Sequence, residues 1–340
     1  MNSLHYYVPE NPAVSFHQIG LKYASCLAKL GWDVQTKYMG QGEQAESGEL
    51  AVLHPLLYLT QKYKDRFSAF LQDLGKKYQF VFGLEVADST RISDRFVAWA
   101  NLDLIKGLML PSAYSLRAFQ ESGVKTPMAI VPHGFEAASP SDRFDFLKEI
   151  KTPKSLSFVI NESHRKGWDM VLKGIVAHPD CLFIVKGPLM KDRPFYEKKE
   201  NILVINHWLD PSDLASLYAN VDFLFAPHRG GAFELNCLEA SCYGLPVLAS
   251  DYGPVLEYLD PKANLFIPVR NEKILWAERK DHCGLGADLD AADVLKCLGD
   301  MLVRFEDLKK QSLAQSVNLR EQFNWAVVTE KMDTFIRGRL

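Results

Sequence analysis

Arg229-Gly230-Gly231-Ala232-Phe233-Glu234-Leu235-Asn236-Cys237-Leu238-Glu239-Ala240, continued by Tyr243-Gly244-Leu245-Pro246-Val247-Leu248-Ala249-Ser250-Asp251, is the stretch of this 340-residue chain whose reading decides the fold. The apolar run Phe223 to Ala226 ahead of it predicts a buried strand, Leu235 to Tyr243 a helix, and Pro246 to Ala249 a second strand. The intervening glycines let backbone approach a ligand closely, and the helix that follows aims free N–H groups at an anion. Glu239, on the first turns of that helix, can accept hydrogen bonds from vicinal ribose hydroxyls, as acidic groups do in dinucleotide sites. An ordinary turn at Gly230-Gly231 and a helix-dipole partner at Glu239 are the alternatives that the residues leave open.

Outward from this segment the same alternation recurs. Strands are expected at Leu156 to Ile160, Leu182 to Val185 and Ile202 to Ile205, and helices at Trp168 to Val176 and Pro211 to Ala219. Asp210 supplies an N-cap and Pro211 the first helical position of the second helix. The first half opens β-α-β: Leu4 to Val8, then Ile19, Tyr23, Cys26 and Leu30 at helical spacing, Gly31 as C-cap, and Val34 to Thr36. Short buried strands follow at Leu50 to Leu53, Phe80 to Leu84, Leu108 to Pro111 and Met128 to Pro132, with helices at Tyr63 to Tyr78 and Ser112 to Glu121. Alternation of this kind predicts parallel sheets covered by helices. The apolar pattern weakens between Glu136 and Ser155, which reads as a linker. The expected fold class is α/β, with two Rossmann-like doubly wound parallel-sheet domains facing across a cleft. The expected divisions are 1–145, 146–320 and a closing helix in 321–340, where Phe323, Val327, Val328, Met332 and Phe335 recur at helical spacing.

Composition narrows the function. At 47% hydrophobic and 24% charged residues, the chain can fill two ordinary cores. A net charge of −3 argues against a partner held by general attraction to a phosphate backbone, so no nucleic acid is expected. Six cysteines, with no C-x-x-C pair and no histidines at zinc spacing, read as buried thiols in a reducing compartment. The N-terminus reads as a first strand rather than a secretory signal, and no apolar run reaches the roughly 18 residues of a membrane span. A cytoplasmic location is the expectation. The basic amphipathic stretch Gln61 to Tyr78 allows peripheral membrane contact, although a solvated helix face with Phe67, Phe70, Leu71 and Leu74 inward fits it as well.

A second cluster, Asn161-Glu162-Ser163-His164-Arg165-Lys166-Gly167-Trp168-Asp169, falls between a strand and a helix N-terminus. Two cations beside free backbone N–H groups suit a diphosphate, and a solvated basic turn is the plainer alternative. Asp288-Leu289-Asp290 mimics a metal-binding D-x-D but precedes a helix-like Ala291 to Leu302, where N-capping is its expected job. No metal and no cofactor are expected.

Arg165-Lys166-Gly167-Trp168-Asp169 resembles the R-K-G-x-D of glycosyltransferase family four (glycosyltransferase group 1), retaining enzymes of the GT-B fold. The run from Gly231 through Glu239-Ala240 to Gly244-Leu245-Pro246-Val247 is similar to that family's E-x7-E segment, E-G-F-G-L-x-x-x-E-A-x-A-x-G-x-P-V. Val131-Pro132-His133-Gly134-Phe135 resembles its hinge, and Pro111-Ser112 with Ser122-Gly123-Val124, and Phe323-Asn324-Trp325, fit further segments. The resemblance implies a nucleotide-diphosphate sugar as donor, and a glycan, lipid-linked or small-molecule acceptor. Lys166 and Arg165 would hold the diphosphate in place of a metal, with Glu239 on the ribose. The backbone of Phe233, Glu234, Leu235 and Asn236 would cradle donor sugar and phosphate, with Gly231, Arg229, His133 and Gly134 also on the donor. Retention would follow, the leaving diphosphate helping to deprotonate the acceptor.

The sequence departs from the family pattern at several positions. Gly231 stands where the first Glu belongs, and Glu234 stands at a usual Gly, from which it would take over a contact to the donor sugar. Asn161 replaces an Arg, and Glu10-Asn11-Pro12-Ala13-Val14-Ser15 replaces a glycine-rich loop. Glu85 takes the place of a strand-end histidine and, with Asp88, is an acceptor-side candidate, a structural cap being the alternative. His54 is a further candidate in the same half. An epimerase or phosphorylase on the same fold, or a degenerate sugar-nucleotide-binding scaffold, are the competing functional readings.

Overall fold

The computed structural model describes residues 3–12, 14–39, 48–57, 67–159, 164–187, 198–276 and 282–340, with the side chains of 67–70 excepted. Asn161, Glu162 and Ser163 of the basic cluster, Ala13, and residues 61–66 of the amphipathic stretch lie outside them. The chain divides into two compact units. One comprises Met1–Gly134, Trp276–Gly284 and Gln322–Leu340; the other comprises Phe135–Leu275 and Leu285–Glu321.

The first unit carries β1 (Ser3–Pro9), α1 (Ser15–Lys29), β2 (Asp33–Met39), β3 (Gly48–Leu53), α2 (Phe67–Lys77) and β4 (Tyr78–Leu84). It continues through α3 (Asp94–Ala100), β5 (Ile105–Leu110), α4 (Ala113–Glu121) and β6 (Met128–Ile130). The strands form one parallel sheet in the order β2-β1-β3-β4-β5-β6. Leu4 to Val8 of β1 are all buried, as expected for a strand covered on both faces. Gly31, at φ +90, ends α1: its N–H donates to Ala28 O and that of Trp32 to Leu27 O, the paired bonds of a Schellman turn. Not among the expected helices is α3, seven residues long and capped by Ser93, whose hydroxyl accepts from Phe96 N.

The second unit carries β7 (Lys154–Phe158), α5 (Trp168–Ala177), β8 (Leu182–Lys186), β9 (Ile202–Ile205), α6 (Pro211–Ala219) and β10 (Phe223–Ala226). It continues through α7 (Leu235–Cys242), β11 (Val247–Ser250), β12 (Leu265–Ile267), the antiparallel pair β13 (Asn271–Ile274) and β14 (Leu285–Asp288), and α8 (Ala291–Gln322). Its parallel sheet runs β12-β11-β10-β7-β8-β9. Phe183, Phe223, Phe225, Val171 and Leu248 fill its core. Gly174 lets α5 lie close to α8, since a Cβ there would sit 2.9 Å from Leu298. The strand order reverses between β7 and β10. That switch point, at the carboxyl ends of the strands, is where doubly wound sheets hold ligands.

Both sheets are parallel, as expected of the class, and each has six strands; β12 in the second was not among the expected strands. Asp210 caps α6 as expected, accepting from Ser212 N and Asp213 N. The helix expected over Ala291 to Leu302 runs on unbroken to Gln322, through the almost fully exposed Val303. The closing helix expected in 321–340 is α9 (Trp325–Arg337), which starts where Asn324 caps it, accepting from Ala326 N. No helix among the described residues is long and apolar enough to cross a membrane.

Candidate functional site

Two loops leave the sheet on either side of the switch point, one after β7 and one after β10, and backbone bonds bring them together. Arg229 N donates to Arg165 O at 2.7 Å. Gly167 must be glycine, because it sits at φ +72 and a Cβ would lie 1.9 Å from Pro227 O. The Arg229 guanidinium, almost wholly buried, forks onto Asp169, with Nη1 and Nη2 each 2.7 Å from a carboxylate oxygen, and Nη1 also donates to His164 O. Burial pulls the Asp169 carboxyl up, but the Arg229 fork outweighs it and holds the group below the usual carboxylate range. Burial, then the Arg229 charge, lowers His164. Arg229 thus ties the second loop to the first turn of α5.

α5 and α7 begin alike. Gly167 and Glu234 are their N-cap residues, both in the left-handed region, and neither helix has a side chain capping its first turn. Glu234 (φ 56, ψ 61) is the one non-glycine residue with positive φ among those described, a conformation costing about 1 kcal/mol or more for such a side chain. Its carboxylate is held by Lys166 Nζ at 2.6 Å and Arg165 Nη1 at 3.3 Å, and Arg165 also donates to Gly230 O. The Tyr258 hydroxyl lies 2.9 Å from the carbonyl oxygens of both Phe233 and Glu234, fixing the turn from beneath. Burial pushes the Glu234 carboxyl up, yet Lys166, His228 and Arg165 together hold it below its ordinary range, so it is ionised at neutral pH. A Cβ on Gly231 would fall 1.9 Å from Glu234 Oε1. The Glu234 carboxylate thus fills the space beside Gly231 that a side chain at 231 would enter.

Glu239 lies one helical turn further along α7, where the Tyr218 hydroxyl donates to it at 2.9 Å. Burial pushes its carboxyl up to about 7, the Tyr218 bond acting against that. Tyr218 itself stacks on Tyr243, with ring centroids 5.2 Å apart. Leu235 and Asn236 are the first two residues of α7, half-buried, and Phe233 packs its ring on Tyr258 at 5.6 Å. A small cavity lined by Lys166, His228, Glu234, Asn236 and Cys237 opens at this point.

Arg165, Lys166, Arg229, Gly231, Phe233, Glu234, Leu235, Asn236 and Glu239 thus converge on one edge of the second sheet. His133, Gly134, Glu85 and Asp88 belong to the first unit. There His133 is buried and stacked on His54, centroids 6.3 Å apart, and burial lowers His133 to about 4. Gly134 lies under Trp325, whose ring a Cβ would meet at 2.4 Å. Glu85, buried at the end of β4, accepts from Leu57 N, while Asp88 N donates to His282 Nδ1. Asp290 caps the start of α8, accepting from Ala292 N at 2.8 Å, and Asp288 pairs with Lys273.

Three groups escaped the sequence reading. Lys186 ends β8 beside the switch strand, nearly buried, with no ion pair or hydrogen bond to its ammonium among the described residues; burial lowers its pKa. Its one signal was a cation closing an apolar run just before Gly187-Pro188. Tyr218 and Tyr258 carry no local signal, because their hydroxyl partners lie 21 to 25 residues away.

Residues 141–279 match the family model described as glycosyl transferases group 1. The two doubly wound sheets are those of the GT-B fold, and the second unit is similar to the glycosyl transferases group 1 model over the matched residues. Sucrose-phosphate synthase of Thermosynechococcus elongatus shares the fold over 99% of both chains, with a TM-score of 0.72 and 14% identity. HepE of Anabaena, solved in complex with UDP and glucose, also has a TM-score of 0.72, over 99% of this chain and 100% of that one, at 12% identity. In sequence, the chain is 25% identical to uncharacterized protein 356 of Sulfolobus islandicus rod-shaped virus 1, over 83% of each.

Proposed function

We propose that this protein transfers a sugar from a nucleotide-diphosphate-sugar donor to a glycan, lipid-linked or small-molecule acceptor, with retention at the anomeric carbon. The observation that carries the reading is the meeting of Arg165 and Lys166 with two helix N-termini that lack side-chain caps, at the switch point of the second sheet. The diphosphate lies against the two cations and the first N–H groups of α7, at Leu235 and Asn236. The ribose hydroxyls donate to Glu239. Arg229 positions the loop, Phe233 and Gly231 shape it, and Glu234 meets the donor sugar. His133 and Gly134 serve the donor, and Glu85 and Asp88 the acceptor. Negative charge grows on the departing diphosphate as the glycosidic bond stretches, and preorganised cations and N–H dipoles stabilise that charge more than they stabilise the ground state. Arg165 and Lys166 supply it without a metal, and the departing phosphate oxygen accepts the acceptor's proton. Retention rests on the resemblance to glycosyltransferase family four.

The complex of HepE with UDP and glucose makes UDP and UDP-glucose the first probes, with GDP and GDP-mannose beside them. Under this reading a nucleoside diphosphate raises the melting temperature, Lys166→Ala and Glu239→Ala weaken it by tenfold or more, and labelled donor releases nucleoside diphosphate as sugar reaches an acceptor. A melting temperature that no nucleotide moves would sink the reading.

A further inference from the structure

Glu234 occupies the two cations that the donor diphosphate is to use. Lys166 and Arg165 both face its carboxylate, at 2.6 and 3.3 Å. Three features show that the placement is built in. The backbone of Glu234 is held left-handed, the Tyr258 hydroxyl pins the carbonyls on either side of its peptide, and Gly231 leaves open the space its Oε1 fills. The carboxylate offsets part of the positive charge that these two cations bring. A sugar ester of a nucleoside diphosphate brings about two negative charges. A free nucleoside diphosphate brings about three at neutral pH, because its terminal phosphate has a second ionisation near pH 6. In the donor reading that additional charge lies on the phosphate that carried the sugar, which faces the same two cations as Glu234. A sugar hydroxyl can donate to the carboxylate, whereas a dianionic phosphate has no proton to offer and is repelled.

We propose that Glu234 is a charge-selecting residue, which makes the site prefer the sugar ester of a nucleoside diphosphate over the free nucleoside diphosphate, that is, donor over product. The inference rests on the donor reading above. It assigns the exchange of positions between Gly231 and Glu234 a consequence of its own: the carboxylate that orients the sugar also helps to expel the spent nucleotide.

Calorimetric titration of the intact protein with UDP and with UDP-glucose tests it, comparing the wild type with Glu234→Gln and Glu234→Gly. The glutamine keeps size and removes charge. The glycine also relieves the left-handed backbone, so it folds even where glutamine does not. The expected result is a Kd ratio, UDP over UDP-glucose, that falls by roughly tenfold or more in either variant, chiefly through tighter UDP. Lowering the pH from 7.5 to 5.5 protonates the terminal phosphate, and tightens UDP relative to UDP-glucose in the wild type more than in the variants. Binding of both ligands with an unchanged ratio overturns the inference alone. Failure of the wild type and both variants to bind any of UDP, UDP-glucose, GDP or GDP-mannose overturns the donor reading and this inference with it.

Discussion

Glu239 carries opposed demands. Its carboxyl is raised to about 7 by burial, with the Tyr218 hydroxyl as its polar partner. A group whose folded-state pKa lies above its unfolded value of 4.5 contributes stability that is present in full below about pH 4.5 and is lost as pH rises through 7. Ionised Glu239 therefore costs the fold about 3 kcal/mol at pH 8. Glu239→Gln should raise the melting temperature at pH 8 and change it little near pH 4.5, as scanning calorimetry would report. The same substitution should weaken nucleotide binding, because ribose hydroxyls need an acceptor-only partner. Wild-type affinity for UDP-glucose, whose phosphates do not titrate in this range, should accordingly rise from pH 6 to pH 8. An affinity flat across that interval would mean that Glu239 does not face the ribose. Lys186 allows a simpler test. Nearly buried and without an ion pair among the described residues, its ammonium disfavours the fold, so Lys186→Met should stabilise the protein by about 1 kcal/mol while weakening anion binding.

The turns between elements decide where these side chains point, and their tolerance to change should differ sharply. Gly31 closes α1 at φ +90 with no atom within 4 Å of an added Cβ, so Gly31→Ala should cost only about 1 kcal/mol. Gly167 shares the positive φ but faces Pro227 O at 1.9 Å, and Gly167→Ala should cost several times more and abolish nucleotide binding. Urea midpoints of the two variants, measured side by side, check the contrast. Elements with buried apolar runs, such as Leu182–Lys186, Phe223–Ala226 and Val247–Ser250, were legible in the sequence because burial on both faces demands such runs. Asn271–Ile274 was not: all four residues are exposed and two are charged, so the strand follows from its pairing with Leu285–Asp288 and from no pattern of its own. At the site, Arg165, Lys166 and Glu239 were legible as charged residues next to strand ends and helix starts. The fit of Glu234 over Gly231 was not, since it depends on a left-handed backbone and a space that no spacing rule encodes.

On the scale of the whole molecule, the chain passes between its two units four times, and neither unit is one continuous stretch. The first unit is completed by residues about 200 positions beyond its main segment, through α9. Trp325 meets the Tyr23 ring edge-on at 5.1 Å, Trp32 Nε1 donates to Asp333 at 2.5 Å, and Phe335 packs on Phe82 at 6.1 Å. Gly107 on β5 is the counterpart of that last contact, because a Cβ would lie 2.6 Å from the Phe335 ring. A residue so placed should behave as core despite lying only five positions before Leu340. Phe335→Ala should destabilise the first unit by about 3–5 kcal/mol. Gly107→Ala should also destabilise it, by overpacking against the same ring. In the double variant the alanine at 107 can occupy part of the space the ring leaves, so the two costs should not add. Chemical denaturation of the three variants gives the coupling energy. Strict additivity would mean that α9 merely rests on the first sheet, and that the strands of the first unit hold without it.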